Sequence, residues 1–347
     1  MDYRKPLDGR ATGLMVLLCL IWSMQQIALK AAAPDIAPTL QIALRSGVAA
    51  VLVGIWCLLR RDTFAAGTLR AGTLVGVLFA LEYLFVGEAL RHTSAGHTVV
   101  LLYTAPIFAA LGLHLKLPAE RLDRVQWTGI AVAFSGVAVT FLGPGANAGG
   151  SAGASQLWGD LLALLGGAAW GATTVSIRVT RLAQAPSSQT LLYQLVGAFV
   201  VLLAAAMVSG QTRFNPSAVA IGSLAFQCLV VSFISFLVWF WLLRTYLASR
   251  LGVFSFLTPI FGVALGAVLL DEALELRFIV GTAFVLAGIM IVSAHAWLGA
   301  IFARAGAGRL AQSATRCRGR SRLRVAPAER AAHHHPCADE NQKGRHP

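Results

Sequence analysis

Two ionisable residues, Arg45 and Glu82, lie inside long apolar stretches of the sequence. A charged side chain within hydrocarbon is costly, so it usually faces a cavity or an opposite charge. At about 1.5 Å of helix per residue, both lie about 12 Å below the same end of their stretches. One interpretation is an ion pair that joins two neighbouring helices. The other is a binding site in which Glu82 holds a cationic group or a proton and Arg45 is its partner.

Pro106 and Pro259 fall near the middle of two further apolar stretches, each inside a similar short motif. Proline cannot donate a backbone hydrogen bond, so it kinks a helix and frees carbonyl groups that can line a cavity. Hydroxyl-bearing residues precede both prolines at the same depth, namely Tyr103, Thr104, Ser255 and Thr258. We expect both segments to contribute to a binding site, although a kink that serves packing alone gives the same pattern.

Aromatic and amide side chains at similar depths are further candidates for the binding site. They are Trp22, Gln25, Trp170, Tyr193 and Gln194. Tryptophan commonly anchors a helix at the membrane interface. Trp22 and Trp170 lie about eight residues from the nearest end of their stretches, which is deep for an anchor, so both interpretations stay open.

Glu88, His92 and His97 lie near one end of the third and fourth apolar stretches. Because histidine changes charge near neutral pH, these residues could form an outer vestibule or a proton relay. Solvated side chains at the level of the lipid headgroups are the alternative. Two histidines and one acid do not establish a metal site, and no zinc-type spacing of Cys and His occurs, so neither a metal nor a cofactor is expected.

The composition indicates that lipid surrounds most of this chain. Of its 347 residues, 57% are hydrophobic and only 12% are charged, whereas a soluble protein has about 25% charged residues. Ten apolar blocks are long enough to cross a hydrocarbon core of about 30 Å as helices. They cover residues 11–32, 37–59, 71–90, 95–117, 125–142, 157–179, 188–208, 218–243, 247–270 and 278–302. The sequence therefore predicts an all-α polytopic protein of the cell membrane, which in a bacterium is the inner membrane.

The net charge of +13 is explained by where the basic residues fall. If the N-terminus is cytoplasmic, most Lys and Arg outside the spans lie in cytoplasmic segments. Those on the opposite side are Lys30, Arg91, Arg213 and Arg277. This bias follows the positive-inside rule and predicts that both termini are cytoplasmic. A nucleic-acid-binding protein would instead cluster its basic residues on a folded surface, so nucleic acid is not expected as a partner.

The chain also repeats itself at an interval of about 150 residues. The matching segments are Trp22…Lys30 with Trp170…Arg178, Leu90–Arg91 with Leu243–Arg244, residues 105–108 with 258–261, and Glu120…Gly129…Gly136 with Glu272…Gly281…Gly288. Five helices per repeat bring the chain to the opposite side of the membrane, so the second repeat is inverted relative to the first. Inverted repeats are typical of secondary transporters, whose substrate site lies at the midplane between the repeats. The paired glycines are expected to allow close helix packing.

These motifs resemble those of the EamA-like branch of the drug/metabolite transporter superfamily. The resemblance rests on the repeated segments, on Pro38…Arg45 and on residues 90–95, and it covers about residues 11–298. It implies ten helices, cytoplasmic termini and export or exchange of small metabolites such as amino acids. Glu82 and Glu88 depart from the usual pattern. Their counterparts in the second repeat are Ser235, which joins the candidate binding residues, and Trp241.

We divide the chain into a first repeat at 11–142, an extracytoplasmic linker at 143–156, a second repeat at 157–302 and a basic cytoplasmic tail at 303–347. The linker is rich in Gly, Ala and Ser, which predicts flexibility. The tail lacks large apolar residues, which predicts disorder. Four charged residues at the helix ends are interpreted mainly as residues that fix the topology. They are Lys30, Arg178, Glu120 and Glu272.

The predicted function is gradient-driven transport of a small metabolite by alternating access, with the two inverted halves rocking about a central site. The expected partners are a small-molecule substrate, a proton or other coupling ion, membrane lipids and a second copy of the chain. An integral-membrane enzyme is one alternative, but it needs a cluster of acid, base or nucleophile at a membrane face. A sensor or scaffold is another, but it has no need of two mirror-related access states. No enzymatic activity is therefore expected.

Overall fold

The computed structural model describes residues 8–141, 151–246 and 254–292, and the regular secondary structure of these residues is helical. The long and medium helices are α1 (Gly9–Ala31), α2 (Pro38–Arg60), α3 (Leu69–His92), α4 (Ala95–Leu102), α5 (Ala105–Lys116), α6 (Arg124–Phe141), α7 (Ser151–Val179), α8 (Ser187–Val208), α9 (Ala218–Ala225), α10 (Phe236–Thr245), α11 (Leu257–Leu269) and α12 (Leu276–Val292). A π-helix, Phe226–Ser235, joins α9 to α10, and short 3-10 turns follow α5 and α7.

Seven segments within the described residues are long and apolar enough to cross a membrane. They are α1, α2, α3, α4 with α5, α7, α8, and α9 with the π-helix. The helices α6, α11 and α12 occupy the positions of the other three predicted spans, and α11 and α12 are shorter than 18 residues. A multi-pass helical membrane protein is confirmed, and the number of ten spans stays a prediction.

The structure differs from the prediction at the C-terminal end of the linker between the predicted repeats. Residues 143–150 of the predicted linker lie outside the described residues, but residues 151–156 form the first turns of α7. This segment contains alanine and few helix breakers, so the helix extends beyond its apolar span. The predicted tail, 303–347, lies outside the described residues altogether.

Helices from the two predicted repeats interleave. The helix α3 packs against α7 and α8, α2 packs against α8, α1 packs against α11, and α4 packs against α7 and α11. Each of these pairs joins one helix from the first repeat to one from the second. The repeats are therefore not two separate bodies, and any alternating access requires movement between interleaved helices.

The fourth span breaks at the position where the sequence predicts a kinked helix. The helix α4 ends at Leu102, and α5 begins at Ala105 with Pro106 in its first turn, where the missing N–H costs no intrahelical hydrogen bond. The hydroxyl of Thr104 donates to the carbonyl oxygen of Leu101 at 2.6 Å across the break. Pro259 likewise lies in the first turn of α11, which begins at Leu257. Each proline therefore follows a break in the backbone, at the centre of the bundle.

The eighth span contains a wide helical turn that its counterpart in the first repeat lacks. Here α9, the π-helix and α10 contain 8, 10 and 10 residues, whereas α3 contains 24. A π-helix accommodates inserted residues without unwinding the helix, and such segments occur frequently at functional sites. This one places Gln227 and Ser235 in the interior.

The contact between α6 and α12 brings two backbones together. A Cβ atom added to Gly136 would lie 2.5 Å from the carbonyl oxygen of Gly281 and 2.6 Å from the amide nitrogen of Val285. A Cβ on Gly288 would lie 2.5 Å from the carbonyl oxygen of Gly129. The glycines of the repeated motif therefore permit close packing of these helices, as the sequence predicts.

Gly136→Ala is expected to lower the stability of the folded protein by about 1–3 kcal/mol, because backbone atoms must move to admit the methyl group. Gly13→Ala is the matched control, since a Cβ there meets nothing within 4 Å, and it should stabilise α1 by about 0.5–1 kcal/mol. The measurement is unfolding of the purified protein in mixed detergent micelles. Equal shifts for both variants would contradict close contact between α6 and α12.

Candidate functional site

A buried polar cluster lies where α1, α2, α3 and the π-helix meet. The guanidinium of Arg45 donates to the side-chain oxygen of Gln227 at 2.8 Å, and the amide of Gln227 donates to the backbone oxygen of Gln25 at 2.9 Å. The guanidinium carbon of Arg45 also lies 4.7 Å from the centre of the Tyr83 ring. Arg45 is 5% exposed and Gln227 is fully buried. A buried guanidinium needs such partners because water does not reach it.

Glu82 is buried beside this cluster but does not pair directly with Arg45. It is 4% exposed, and its Oε2 atom has no hydrogen-bond partner. Arg91–Glu88, His97–Asp160 and Arg178–Glu120 are ion pairs among the described residues, and Arg45–Glu82 is not one of them. The charge of Arg45 still acts on Glu82 across the space between them. The direct ion pair offered as one interpretation is not formed, and Arg45 donates to Gln227 instead.

A second group of polar contacts connects α1 to the π-helix and α11. The indole of Trp22 donates to the hydroxyl of Ser235 at 3.2 Å, and the ring of Trp22 meets that of Trp239 edge to face at 5.7 Å. The hydroxyl of Ser23 donates to the carbonyl oxygen of Thr258 at 2.7 Å. The hydroxyl of Thr258 is buried without a hydrogen bond of normal geometry. It lies beside the phenol of Tyr103.

A cavity of about 610 Å³ opens at one end of the bundle. At its mouth, Arg178 and Glu120 form an exposed ion pair with 3.0 Å between Nη2 and Oε1. The cavity is lined by Ala105, Pro106, Ala109, Ala110, Leu113, Glu120, Arg121, Leu122, Gln126, Trp170, Thr174, Arg178 and Val292. Its volume lies within the range of about 300–1,000 Å³ that is usual for small-molecule sites.

Trp170 connects the cavity to the residues near the polar cluster. It lines the cavity, and the edge of its ring meets Tyr103 at a centroid distance of 5.3 Å. The phenol of Tyr103 in turn lies within the electrostatic reach of Glu82 and Tyr83.

The opposite end of the bundle is closed by contacts between the two repeats. Ile36 and Phe214 form an antiparallel bridge. The backbone nitrogen of Asn215 donates to the backbone oxygen of Asp35 at 2.9 Å. The side-chain nitrogen of Asn215 donates to the carboxylate of Asp35 at 2.8 Å, and the hydroxyl of Ser217 donates to the same carboxylate. The hydrogen bonds from Ser217 and Asn215 hold the pKa of Asp35 below its usual value.

Glu272 closes the same end more deeply. Its two carboxylate oxygens accept hydrogen bonds from the backbone nitrogens of Ala95 and Gly96, at 2.6 and 3.0 Å, at the first turn of α4. A Cβ on Gly266 would lie 2.4 Å from Oε2 of Glu272, so only glycine leaves room for this carboxylate. The amine of Lys30 donates to the backbone oxygens of Leu90, at 2.7 Å, and Thr93. Lys30 and Glu272, expected mainly to fix the topology, therefore also join helices.

The candidate vestibule residues do not form a single group. His97 lies 3.0 Å from both carboxylate oxygens of Asp160, and His92 contacts the hydroxyl of Ser155 at 2.9 Å. Glu88 instead accepts hydrogen bonds from Arg91 and Gln211 at the surface. Within the described residues, no group of three or more His, Cys, Asp or Glu side chains could hold a metal ion.

The structure brings together most of the predicted binding residues, but it places two of them elsewhere. The hydroxyl of Tyr193 lies 3.2 Å from that of Thr68, and its ring packs over Gly72 near the end of the bundle. Gln194 forms no hydrogen bond within the described residues. The residues in or beside the central cluster and the cavity are Glu82, Arg45, Tyr103, Thr104, Pro106, Trp22, Gln25, Trp170, Ser235, Thr258 and Pro259, and Ser255 lies in the turn that precedes α11.

Three polar residues that contribute to these sites were not among the sequence-based candidates. They are Tyr83 and Gln227 in the central cluster and Asp160 at the closed end. Asp160 carried a signal, because it is an acid inside a predicted span. Gln227 carried the same signal as Gln25, an amide inside a predicted span. Tyr83 carried none, because its role depends on which helices are neighbours.

Comparison with known proteins identifies a family for the whole bundle. The chain matches the model of the EamA-like transporter family at residues 10–142 and 157–294. An uncharacterized transporter of Bacillus subtilis is 24% identical over 280 residues, which cover 80% of this chain and 94% of that protein. A probable amino-acid metabolite efflux pump of Salmonella typhimurium is 25% identical over 286 residues, covering 80% and 93%. An uncharacterized protein of Pseudomonas aeruginosa is 30% identical over 292 residues, covering 83% and 96%.

The fold also matches a known crystal structure. That structure has a TM-score of 0.57 at 21% identity, over 81% of this chain and 95% of the other. At this identity the similarity concerns the fold alone. Together with the seven membrane-capable helices, these matches place the chain in a membrane as a multi-pass protein.

Gln227→Leu is expected to destabilise the protein by about 1.5–3 kcal/mol, because it leaves the buried guanidinium of Arg45 without its acceptor. The double variant Arg45→Met with Gln227→Leu should lose clearly less than the sum of the single losses, since no buried charge then lacks a partner. Unfolding in mixed micelles measures both effects. Strict additivity would show that this hydrogen bond does not stabilise the centre of the bundle.

Proposed function

The chain belongs to the EamA-like transporter family, and from that premise we propose that it is a gradient-driven exporter or exchanger of a small metabolite. An amino acid or a related compound is the substrate class that fits best. The name of the Salmonella relative, a probable amino-acid metabolite efflux pump, agrees with this class. Transport proceeds by alternating access to one central site.

The observation that carries the proposal is the carboxylate of Glu82. It is buried, its Oε2 atom has no partner, and it acts electrostatically on Tyr103, whose ring contacts Trp170 in the lining of a cavity large enough for a metabolite. An unpaired acceptor in such a place is costly unless a ligand or proton satisfies it. A substrate ammonium group would form charge-assisted hydrogen bonds with Glu82, and the positive field of Arg45 would favour a carboxylate on the same substrate.

The conformation described here loads from the cytoplasm. The mouth of the cavity is flanked by Arg121 and Arg178, and the positive-inside rule assigns the basic end of the bundle to the cytoplasmic side. The opposite end is closed through Asp35, Glu272 and Lys30. A substrate can therefore enter from the cytoplasm and cannot leave on the other side until those contacts separate.

Equivalent residues of the two repeats provide a simple means of alternation. Lys30 and Glu272 lie at the closed end and act on each other electrostatically. Their counterparts Arg178 and Glu120 lie at the open end, as an exposed ion pair that contributes little stability. In the outward-open state the two pairs exchange roles, with Arg178 and Glu120 buried and Lys30 and Glu272 exposed.

Glu82→Gln is expected to reduce export about ten- to hundredfold, because a neutral amide can accept a hydrogen bond from a cationic substrate but carries no negative charge to pair with it. The measurement is an untargeted mass-spectrometric comparison of metabolites inside and outside cells that express wild type or variant at equal membrane levels. Glu88→Gln is the matched control, because Glu88 lies at the surface with Arg91 and Gln211, and it should export normally.

The outcomes separate the interpretations of Glu82. A compound released by wild type and Glu88→Gln but not by Glu82→Gln identifies a substrate and supports the central site. Equal release by all three proteins would show that Glu82 has a structural role. No release by wild type would contradict metabolite export as the function.

Thr174→Cys is expected to react with a membrane-impermeant thiol reagent in inside-out vesicles and to be protected in right-side-out vesicles. Thr174 is exposed and lines the cavity, whereas its neighbour Thr173 is 2% exposed. Thr173→Cys should therefore stay unlabelled in both. The native cysteines are replaced by serine or alanine beforehand. Labelling of Thr174→Cys from the extracytoplasmic side alone would reverse the proposed orientation.

A further inference from the structure

Asp160 is a buried carboxylate that the central site does not use. It lies on α7 at the closed end and is 1% exposed. The hydroxyl of Thr93 donates to its Oδ1 atom at 2.6 Å. The Nδ1 atom of His97 lies 3.0 Å from each of its two oxygens. A histidine nitrogen that faces both oxygens of a buried carboxylate can hold a proton in a charge-assisted hydrogen bond.

The charges around this pair favour an added proton. Glu272, bound to the backbone of Ala95 and Gly96, brings a second carboxylate to the same end. Lys30, on the carbonyl oxygen of Thr93, is the cation within this interior group. A protonated imidazole would therefore balance two carboxylates with two cations. Other titratable groups at this end are His92, on the hydroxyl of Ser155, and the pair Glu88 and Arg91 at the surface. Further charged groups there are Asp35 with Arg213, and the residues that flank Glu272, namely Asp271, Glu275 and Arg277.

The pair also joins the two repeats. His97 belongs to α4 of the first repeat, Asp160 belongs to α7 of the second, and the ring of His97 stacks on Phe278 of α12 at 4.0 Å. Opening this end would move the elements that meet here and would expose His97 and Asp160 to water. A proton held between them would then be free to leave.

We propose that Asp160 and His97 form a proton-binding site, and that the bound proton holds this end of the bundle closed. The inference deepens the proposed function, because it rests on alternating access. When the proton leaves, the N–H bond of the imidazolium breaks and a water molecule at the opening end takes up the proton. Asp160 keeps its charge beside a neutral histidine, so the contact between the repeats weakens. Proton binding from the extracytoplasmic side closes the end again.

Hydrogen exchange of α4 tests this site without a known substrate. The amides of Ala95 and Gly96 bind Glu272 only while the end is closed, so their protection reports closure. Purified wild type in lipid nanodiscs is measured between about pH 5.5 and 8.5, with rates corrected for the intrinsic effect of pH. Protection should be high at low pH and fall as pH rises, because the bound proton is then lost. One proton limits the fall to about tenfold per pH unit.

Three variants decide the result. His97→Gln keeps a neutral hydrogen-bond donor but cannot carry the proton, so the protection of α4 should stay low and independent of pH. Asp160→Asn removes the carboxylate that faces His97, so the protection of α4 should again stay low and independent of pH. His92→Gln is the matched control, because His92 contacts a hydroxyl and no carboxylate, and it should retain the wild-type pH dependence.

Protection in wild type that does not change with pH would overturn the proposal, and so would a pH dependence that survives in His97→Gln. The result stands apart from the metabolite experiment. If the Glu82 variant shows no transport defect and His97→Gln removes the pH dependence of hydrogen exchange, the proton site is retained and the substrate site is rejected. If export depends on Glu82 but His97→Gln leaves the hydrogen exchange of α4 unchanged, the proton site is rejected and the transport function is retained.

Discussion

A charged side chain in the middle of a membrane protein must find its hydrogen-bond partners within the protein, and the contact between Arg45 and Gln227 meets that requirement here. The partner comes from the other repeat, so the guanidinium joins the two repeats at the centre of the bundle. Gln227 can reach it because the eighth span widens into a π-helix at this point. The wide turn and the buried arginine therefore depend on each other.

Glu82 is the group that this contact leaves without a partner. Arg45 donates to Gln227, and Oε2 of Glu82 accepts no hydrogen bond in the interior. A buried polar group in that position is costly, and for that reason the proposed substrate site rests on Glu82. Tyr103, on which Glu82 acts electrostatically, contacts Trp170 in the lining of the open cavity.

The two ends of the bundle contain similar residues in different states. At one end, Glu272 is bound to backbone nitrogens and Lys30 to backbone oxygens; at the other, Glu120 and Arg178 form an ion pair that faces water. Because the sequence repeats, equivalent acidic and basic residues occur at both ends of the bundle. The closed end is the one at which these charged residues are bound to backbone groups. The proposed proton site lies at this closed end, away from Glu82. The helices α3 and α7 contribute to both places, so movement at one would be felt at the other.

The sequence by itself determined the membrane class, the approximate apolar spans, the close packing at the paired glycines and the family, because long apolar blocks, paired glycines and repeated motifs can be read from the chain alone. It also identified Glu82, Arg45, Trp170 and Pro106 as interior candidates, because polar groups and prolines in apolar spans are rare. Only the tertiary structure decided that Arg45 binds Gln227 instead of Glu82, that α4 and α5 are separate helices, and that Asp160 meets His97. It also showed that the repeats interleave. These features depend on which helices become neighbours and at what rotation, and hydrophobic lipid-facing sequences place few constraints on either.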